Sequence, residues 1–351
     1  MSNNRIINIR RAHQPSWSSI ESLIEERHFY HSSLRNISSH EVQRYQIERF
    51  RAMKEYAGNH RDLLFYTAGN GEELQGYMIL YFGSDDDITG TPHTFLLDLH
   101  GKDEDVLLRL LEKAETSVRE AAIDYLAINV SRWDSRLHAI LETSCFVEEY
   151  SLFIHSLERE FPLFTGEKRF SIRTADRNDC RTLIELGRES VTSLISPYRR
   201  CTMEEALRHY DECYRYLSSW IDIPERFAAF IAYERTTGKA AGMILLHLQG
   251  ELEGLEEPSF QCSTIDSVTG QGQVSLLFLS VSEKQRGKYL GQSLINHASR
   301  ELRDRGFKAM AGEILTINRR ALATLLRRFS GPLEVERHQM VKRLSGLPAR
   351  M

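Results

Sequence analysis

From Val281 to Gln292 the chain runs Val-Ser-Glu-Lys-Gln-Arg-Gly-Lys-Tyr-Leu-Gly-Gln. The preceding residues, Val274–Val281, form an apolar strand-length run that ends in Leu279, Ser280 and Val281. After it, Leu294, Ile295, Ala298 and Leu302 recur with helical spacing, Arg303 and Arg305 fall in the last turn, and Gly306 stands where a helix stops. A Gly-bearing turn from strand to helix leaves backbone N–H groups pointing outward, and the helix start adds a partial positive charge. With Gly287, Tyr289, Leu290, Gly291 and Gln292 supplying the backbone and Arg286 and Lys288 supplying full charges, such a turn can hold a pyrophosphate. The competing reading is a charged surface turn. A dinucleotide loop is disfavoured, because there is no G-x-G-x-x-G and a β-hairpin precedes the turn.

A second chemical candidate is Glu313, the only charged residue inside Ala309–Leu315. A carboxylate in a strand predicted to be central is costly unless it is paired or functional. It reads as a general base or as a structural hydrogen-bond partner. Asn318 follows, and by itself it reads as a helix N-cap. Ser/His/Asp or Cys/His arrangements are not discernible, and the thirteen histidines show no metal-ligand spacing. No residue stands out as a covalent nucleophile.

The elements that must position these groups occur twice. Strand-like Arg5–Arg11 and Arg169–Thr174 are each followed by a helical segment, Ser18–Glu26 and Cys180–Glu189. Two polar helical stretches, Ser39–Tyr56 and Thr202–Trp220, then precede the hairpins Leu63–Gly83 and Phe227–Gln249. A further strand comes next, Thr94–His100 or Val274–Val281, and then helix, strand and helix, and each copy is expected to close with a strand pair. Asn129 lies five residues before Asp134, as Glu313 lies five before Asn318. The pattern predicts an α+β fold of two tandem domains on mixed sheets, residues 1–160 and 169–351, joined by a linker at 161–168 that contains Pro162 and Gly166.

Composition sets the outer bounds. The chain has 351 residues, 41% of them hydrophobic and 27% charged, as a soluble globular protein has. A net charge of −4 argues against a protein built to neutralise nucleic-acid phosphates. The longest apolar stretches are strand-length and the N-terminus has no apolar leader, so neither a membrane span nor a secretory signal is expected. Five scattered cysteines suit a reducing, cytoplasmic compartment and no metal.

The doubled element order resembles the GCN5-related N-acetyltransferase (GNAT) superfamily over nearly the whole chain, and Arg286 to Gly291 is similar to its R/Q-x-x-G-x-G/A acetyl-CoA loop. Tandem members, such as mycothiol synthase-like enzymes, pair one working half with one lapsed half. The resemblance implies an acyl-CoA N-acyltransferase fold, acetyl-CoA as co-substrate, and a small-molecule primary amine as acceptor. It implies that the backbone of Leu279, Ser280 and Val281 binds the pantetheine arm and that Asn318 contacts it. Acceptor contacts would come from Ser196–Tyr216 and from the acidic loop Glu251–Gln273. There are two departures. Tyr289 replaces the middle glycine, which is expected to require a negative φ there and a side chain turned away from the phosphates. Leu325 stands where the family often places a tyrosine acid. These leave open a second reading, a CoA-binding or scaffold protein without turnover. A third, an aminoacyl-tRNA-dependent transferase, is opposed by the net charge and by the loop. In the first half Asp103, Glu104 and Asp105 fall where a diphosphate would dock, and they would repel it.

Overall fold

The computed structural model describes residues 7–11, 18–23, 25, 50–51, 53–55, 61–70, 73–85, 92–132, 134–157, 168–191, 201–248, 274–316, 318 and 333–344. The first half contributes β1 (Asn8–Arg11), β2 (Leu63–Gly69), β3 (Leu74–Asp85), β4 (Pro92–Gly101), α1 (Glu104–Glu120), β5 (Tyr125–Ser131), α2 (Ser135–Thr143) and β6 (Val147–Ser156). The second contributes β7 (Phe170–Thr174), α3 (Cys180–Val191), α4 (Met203–Tyr214), α5 (Leu217–Ile221), β8 (Phe227–Glu234), β9 (Ala240–His247), β10 (Val274–Val281), α6 (Leu290–Asp304), β11 (Ala309–Leu315) and β12 (Leu333–Arg343).

All twelve strands belong to one sheet, in the order β1-β2-β3-β4-β5-β12-β6-β11-β10-β9-β8-β7. Only β4 with β5 and β10 with β11 are parallel; every other pair is antiparallel. The two halves therefore have the same strand order, read outward from the middle. Among the described residues the closing strand pair expected within each half is not formed. Each half ends in one long strand among those residues, and the halves exchange them. β12 lies beside β5 of the first half, and β6 lies beside β11 of the second. At the centre β12 and β6 pair with each other, with His338 opposite Ser151. The reason is geometric: β5 and β11 each need a partner on the side away from β4 or β10, and the exchanged strands satisfy both with one continuous ladder.

The strands alternate their side chains between two faces. One face carries α6, whose Leu290, Leu294, Ile295, Ala298 and Leu302 pack on Phe230, Ile244 and Met310. Burying each large aliphatic side chain contributes about 1.5–3 kcal/mol. The other face carries α3 and α4, with Leu183, Leu186 and Tyr210 against Ile231, Met243 and Phe278. Gly187 permits the α3–α4 approach, since a Cβ there would lie 1.7 Å from the Tyr210 hydroxyl. Asp179, buried, accepts two 2.7 Å bonds from Arg173 and one of 2.9 Å from Tyr233, which fastens the entry of α3 to β7 and β8. The Arg173 guanidinium holds the Asp179 carboxyl below its usual range. In the first half α1 and α2 share one core with β2 to β5.

Candidate functional site

β10 and β11 pair in parallel only at Val274–Met310, Ser275–Ala311 and Leu276–Gly312. Beyond that point β10 continues against β9 through Leu279, Ser280 and Val281, while β11 continues against β6. The two strands thus part at their C-terminal ends, and the backbone of Leu279–Val281 has an unpaired edge toward β11. A register shift against β9 between Leu276 and Phe278 makes Leu277 a β-bulge. Leu276 and Leu279 pack on the α6 face, and Phe278 and Ser280 face α3. Leu277 and Phe278 therefore share the α3 face, but Phe278 is buried and Leu277 is 38% exposed.

Glu313 follows the last parallel pair on β11 and lies opposite Leu152 of the first half. It is central in the sheet, as expected, but exposed rather than buried. The expected desolvation cost does not arise, because the parting of β10 from β11 opens that position to water. Asn129 occupies the corresponding place, one residue past the Leu96–Ile128 pair of β4 and β5. The five-residue spacing to Asp134 and Asn318 had aligned the same two positions. Asn318 itself is half-buried in an irregular segment two residues after Thr316. The Thr316 hydroxyl donates to the Glu148 carbonyl at 2.8 Å, which ties the end of β11 to the first half.

The turn from β10 to α6 is built from its own side chains. Arg286 donates from Nε to the Val281 carbonyl at 3.3 Å and from a terminal nitrogen to the Glu189 carbonyl, at the end of α3, at 3.5 Å. Lys288 Nζ donates to the Lys284 carbonyl at 2.6 Å and to Gln285 Oε1 at 3.1 Å. Both cations stand in the loop and shape it from within. Gly287 has φ +79° and faces open space. Tyr289 is the N-cap of α6, with φ +62° and ψ +11° and no side-chain capping bond. The negative φ expected for it is therefore wrong. The turn enters the helix through a left-handed residue, the conformation a glycine would take freely, and Tyr289 adopts it at a cost of about 1–2 kcal/mol. The residue is 40% exposed. A Cβ on Gly291 would lie 3.7 Å from Val281 and 3.8 Å from Leu279, so Gly291 sits directly over the free strand end.

The first half folds the same junction differently. Asp103 caps α1 with extended backbone, and its carboxylate accepts from the Val106 N–H at 2.9 Å. Glu104 and Asp105 add two more negative charges to that first turn. The interval from strand end to N-cap is two residues there, Gly101 to Asp103, and eight in the second half, Val281 to Tyr289. Tyr289, the N-cap of α6, makes no side-chain capping bond, in contrast to Asp103 on α1.

Below that turn, the side chain of Gln292 is buried, so its contribution to an anion is its N–H. Both amide atoms of Gln292, the Asn296 Oδ1 and the Ser299 Oγ are buried without a hydrogen-bond partner among the described residues, along one side of α6. The matching positions of α1 begin with the buried apolar pair Val106 and Leu110. Neither this polar stripe nor the Leu277 bulge was singled out from the sequence. The bulge has one signal there, since Leu276–Leu279 is an unbroken apolar run where a half-buried strand would alternate.

On the α3 face, Tyr210 stacks on Tyr214 at 4.5 Å, and both rings approach Phe278. Burial pushes the Tyr210 phenol well above its ordinary range. Of the expected acceptor residues, Glu204, Glu205, His209, Tyr210 and Asp211 lie on α4. Thr202 and Glu205 are spent on a capping box. Tyr198, Arg199, Arg200, the loop carboxylates Glu251, Glu253, Glu256, Glu257 and Asp266, and Leu325 lie outside the described residues. Among the described residues no group of three or more His, Cys, Asp or Glu could hold a metal ion, and no helix is long and apolar enough to cross a membrane.

Residues 190–329 match the model of the acetyltransferase (GNAT) family. This part of the chain is a GNAT-family acetyltransferase domain. The match takes in the bulged strand, the loop, Glu313 and Asn318. No curated protein matches the chain. Among solved structures, a GCN5-related N-acetyltransferase from Sphaerobacter thermophilus is similar in fold, with a TM-score of 0.57, 14% identity and full coverage of both chains. A glucosamine N-acetyltransferase region of a fungal multi-domain β-N-acetylglucosaminidase aligns with a TM-score of 0.56 and 11% identity, over 96% of this chain and 38% of that one. A tandem GNAT protein from the clavulanic acid biosynthesis pathway aligns over 98% of this chain and all of that one, at a TM-score of 0.47 and 10% identity. The GNAT fold supports acyl-CoA-dependent acetyl transfer in general.

Proposed function

We propose that the protein is an acetyl-CoA-dependent N-acetyltransferase whose second half is active and whose acceptor is a primary amine on a small molecule. The observation that carries this reading is the contrast between the junctions at corresponding places in the two halves. The first turn of α1 is closed by Asp103, whereas Tyr289, the N-cap of α6, makes no side-chain capping bond, and that turn stands over the edge of β10 beyond its last pair with β11. The pyrophosphate of acetyl-CoA would lie at the N–H groups from Leu290 to Gln292. Arg286 and Lys288 would turn from loop carbonyls to its oxygens, and the pantetheine arm would run along Leu279, Ser280 and Val281 toward Asn318. Acetyl-CoA supplies the thioester whose acetyl group is transferred.

Glu313 then has the task of a base. An ordinary alkylammonium has a pKa near 10.4, so about one molecule in a thousand is neutral at pH 7. Glu313 takes a proton from the ammonium. The amine nitrogen bonds to the acetyl carbon, the carbon–sulfur bond breaks with its electron pair going to sulfur, and the nitrogen loses a second proton. Solvent protonates the thiolate. Amide, CoA thiol and one released proton balance the reaction. A base so placed contributes about 10²- to 10⁴-fold.

The test is thiol release from acetyl-CoA across a panel of primary amines, with Glu313→Gln alongside. Turnover that falls at least tenfold in the variant at pH 7 and recovers toward pH 9 supports the assignment. Binding of acetyl-CoA without thiol release for any amine would instead make the protein a non-catalytic CoA binder. The free thiols of Cys145, Cys180 and Cys201 suit a reducing compartment, and we place the reaction in the cytoplasm.

A further inference from the structure

The end of β11 is held by a support that belongs to the other half. β6 has one more residue than β12 between the pairs Tyr150–Gln339 and Glu148–Met340, so Glu149 is a β-bulge. In a regular strand successive carbonyls point to opposite neighbours. At this bulge the carbonyls of Glu148 and Glu149 both point to β11, and Thr316 takes both. Its N–H donates to the Glu149 carbonyl at 2.9 Å. Its hydroxyl lies 2.8 Å from the Glu148 carbonyl and 3.2 Å from that of Glu149. On the β12 side the bulge is fastened by the Glu148 carboxylate, whose Oε1 accepts from Ser151 Oγ and from His338 Nδ1, each at 2.7 Å. Burial would raise the Glu148 carboxyl, but the bonds from His338 and Ser151 outweigh it and hold it below its usual range, which favours the charged acceptor.

The first half has the counterpart of this bulge at Glu336 of β12, between the pairs Val335–Phe153 and Arg337–Leu152. Arg132 follows Asn129 there by the three residues that separate Thr316 from Glu313. The hydroxyl therefore belongs to the half whose chain goes on to Asn318. We infer that Thr316 and Glu148 are positioning residues for the pantetheine end of the acetyl-CoA site. The bulge in β6 fixes the direction in which the chain leaves β11, and with it Asn318 two residues on. The inference rests on the acetyltransferase reading and deepens it, since it gives the first half a part in the site of the second. Valine at position 316 keeps the backbone N–H but loses the hydroxyl bonds, and serine keeps both. Asn318, once displaced, loses its alignment with the pantetheine arm, because a hydrogen bond weakens steeply off its geometry.

The experiment is calorimetric titration of acetyl-CoA into the full chain, for the wild type, Thr316→Val, Thr316→Ser, Asn318→Ala and the double variant Thr316→Val with Asn318→Ala. Thr316→Val is expected to raise Kd about five- to tenfold, the worth of one hydrogen bond, and Asn318→Ala to raise it by as much. Thr316→Ser is expected to bind as the wild type does. The double variant is expected to bind no more weakly than Asn318→Ala alone, because Thr316 acts through Asn318. Should Thr316→Val not fold, Glu148→Ala releases the bulge from the β12 side and is expected to show the same rise and the same lack of additivity. An unchanged Kd in Thr316→Val, or effects of the two substitutions that multiply, overturns the positioning assignment and leaves acetyl transfer standing. A wild type that binds no acetyl-CoA overturns the acetyltransferase reading and this inference with it.

Discussion

Tyr289 is where the loop departs most from its family, and its backbone makes a sharp prediction. At φ +62° a Cβ sits close to the following carbonyl, and a non-glycine residue loses about 1–2 kcal/mol relative to glycine. Glycine recovers that loss but gives back about 0.5–1 kcal/mol through the greater freedom of its unfolded chain. Comparing Tyr289→Gly with Tyr289 itself would confound strain with loss of the partly covered ring. Tyr289→Ala removes the ring as well, so the Gly–Ala difference isolates the backbone. The glycine variant should be more stable than the alanine variant by about 0.5–1 kcal/mol. At a residue with negative φ in a helical turn the order would be reversed by a similar amount. In thermal unfolding of a chain this long, the separation is on the order of 1–2 °C, scaled from smaller domains. Urea unfolding provides a second reading through the midpoint at constant slope. The same pair reports on the ligand site, because the left-handed residue sets the direction of the first-turn N–H groups, so acetyl-CoA should bind the glycine variant at least as tightly as the alanine variant. Alanine equal to or more stable than glycine would refute the left-handed entry to α6 and the loop geometry built on it.

Replacing two α6 residues by their first-half counterparts, Gln292→Val with Asn296→Leu, should stabilise the protein by about 2 kcal/mol, measured by urea unfolding, since the Gln292 amide and the Asn296 Oδ1 lack partners among the described residues and buried polar groups so placed cost about 1–3 kcal/mol each. A loss of stability would mean that ordered water satisfies them. His247 is buried against Phe227, and desolvation together with Arg226 lowers its pKa, so the fold favours its neutral form. The unfolded chain then takes up the extra proton, and stability is lost as the pH falls below about 6.5. His247→Phe should lose less Tm than the wild type between pH 7.5 and 5.5, and equal losses would contradict the burial argument. Because β6 and β12 are exchanged, residues 1–163 and 164–351 produced separately should each fail to fold, and co-expression should restore a soluble complex. A folded, monomeric second half that binds acetyl-CoA alone would refute the dependence.

The sequence revealed what depends on local pattern. The two-fold order of elements is written in alternating and helical periodicities, and the loop from Arg286 to Gly291 is a contiguous string whose chemistry is local. The Asp103–Asp105 cluster, read from the sequence as opposed to a diphosphate, lies at the start of α1. Long-range pairing was not legible. Nothing in Glu148–Leu157 or His338–Leu344 says that each strand will serve the other half, because both partners offer the same unpaired edge. The exposure of Glu313 depends on strands parting in space, which an apolar string does not record. The conformation of Tyr289 ran against residue preference, because the path from β10 into α6 outweighs the intrinsic cost at one residue.

Calorimetric titration of acetyl-CoA into the full chain, with Gly291→Glu as the control, tests the central claim most directly. Gly291 sits over Leu279 and Val281 at the uncapped turn, so a carboxylate there would place negative charge at the phosphate position. The account predicts one site per chain in the wild type and none in the variant. Binding that survives Gly291→Glu, two sites per chain, or no binding to the wild type would contradict it.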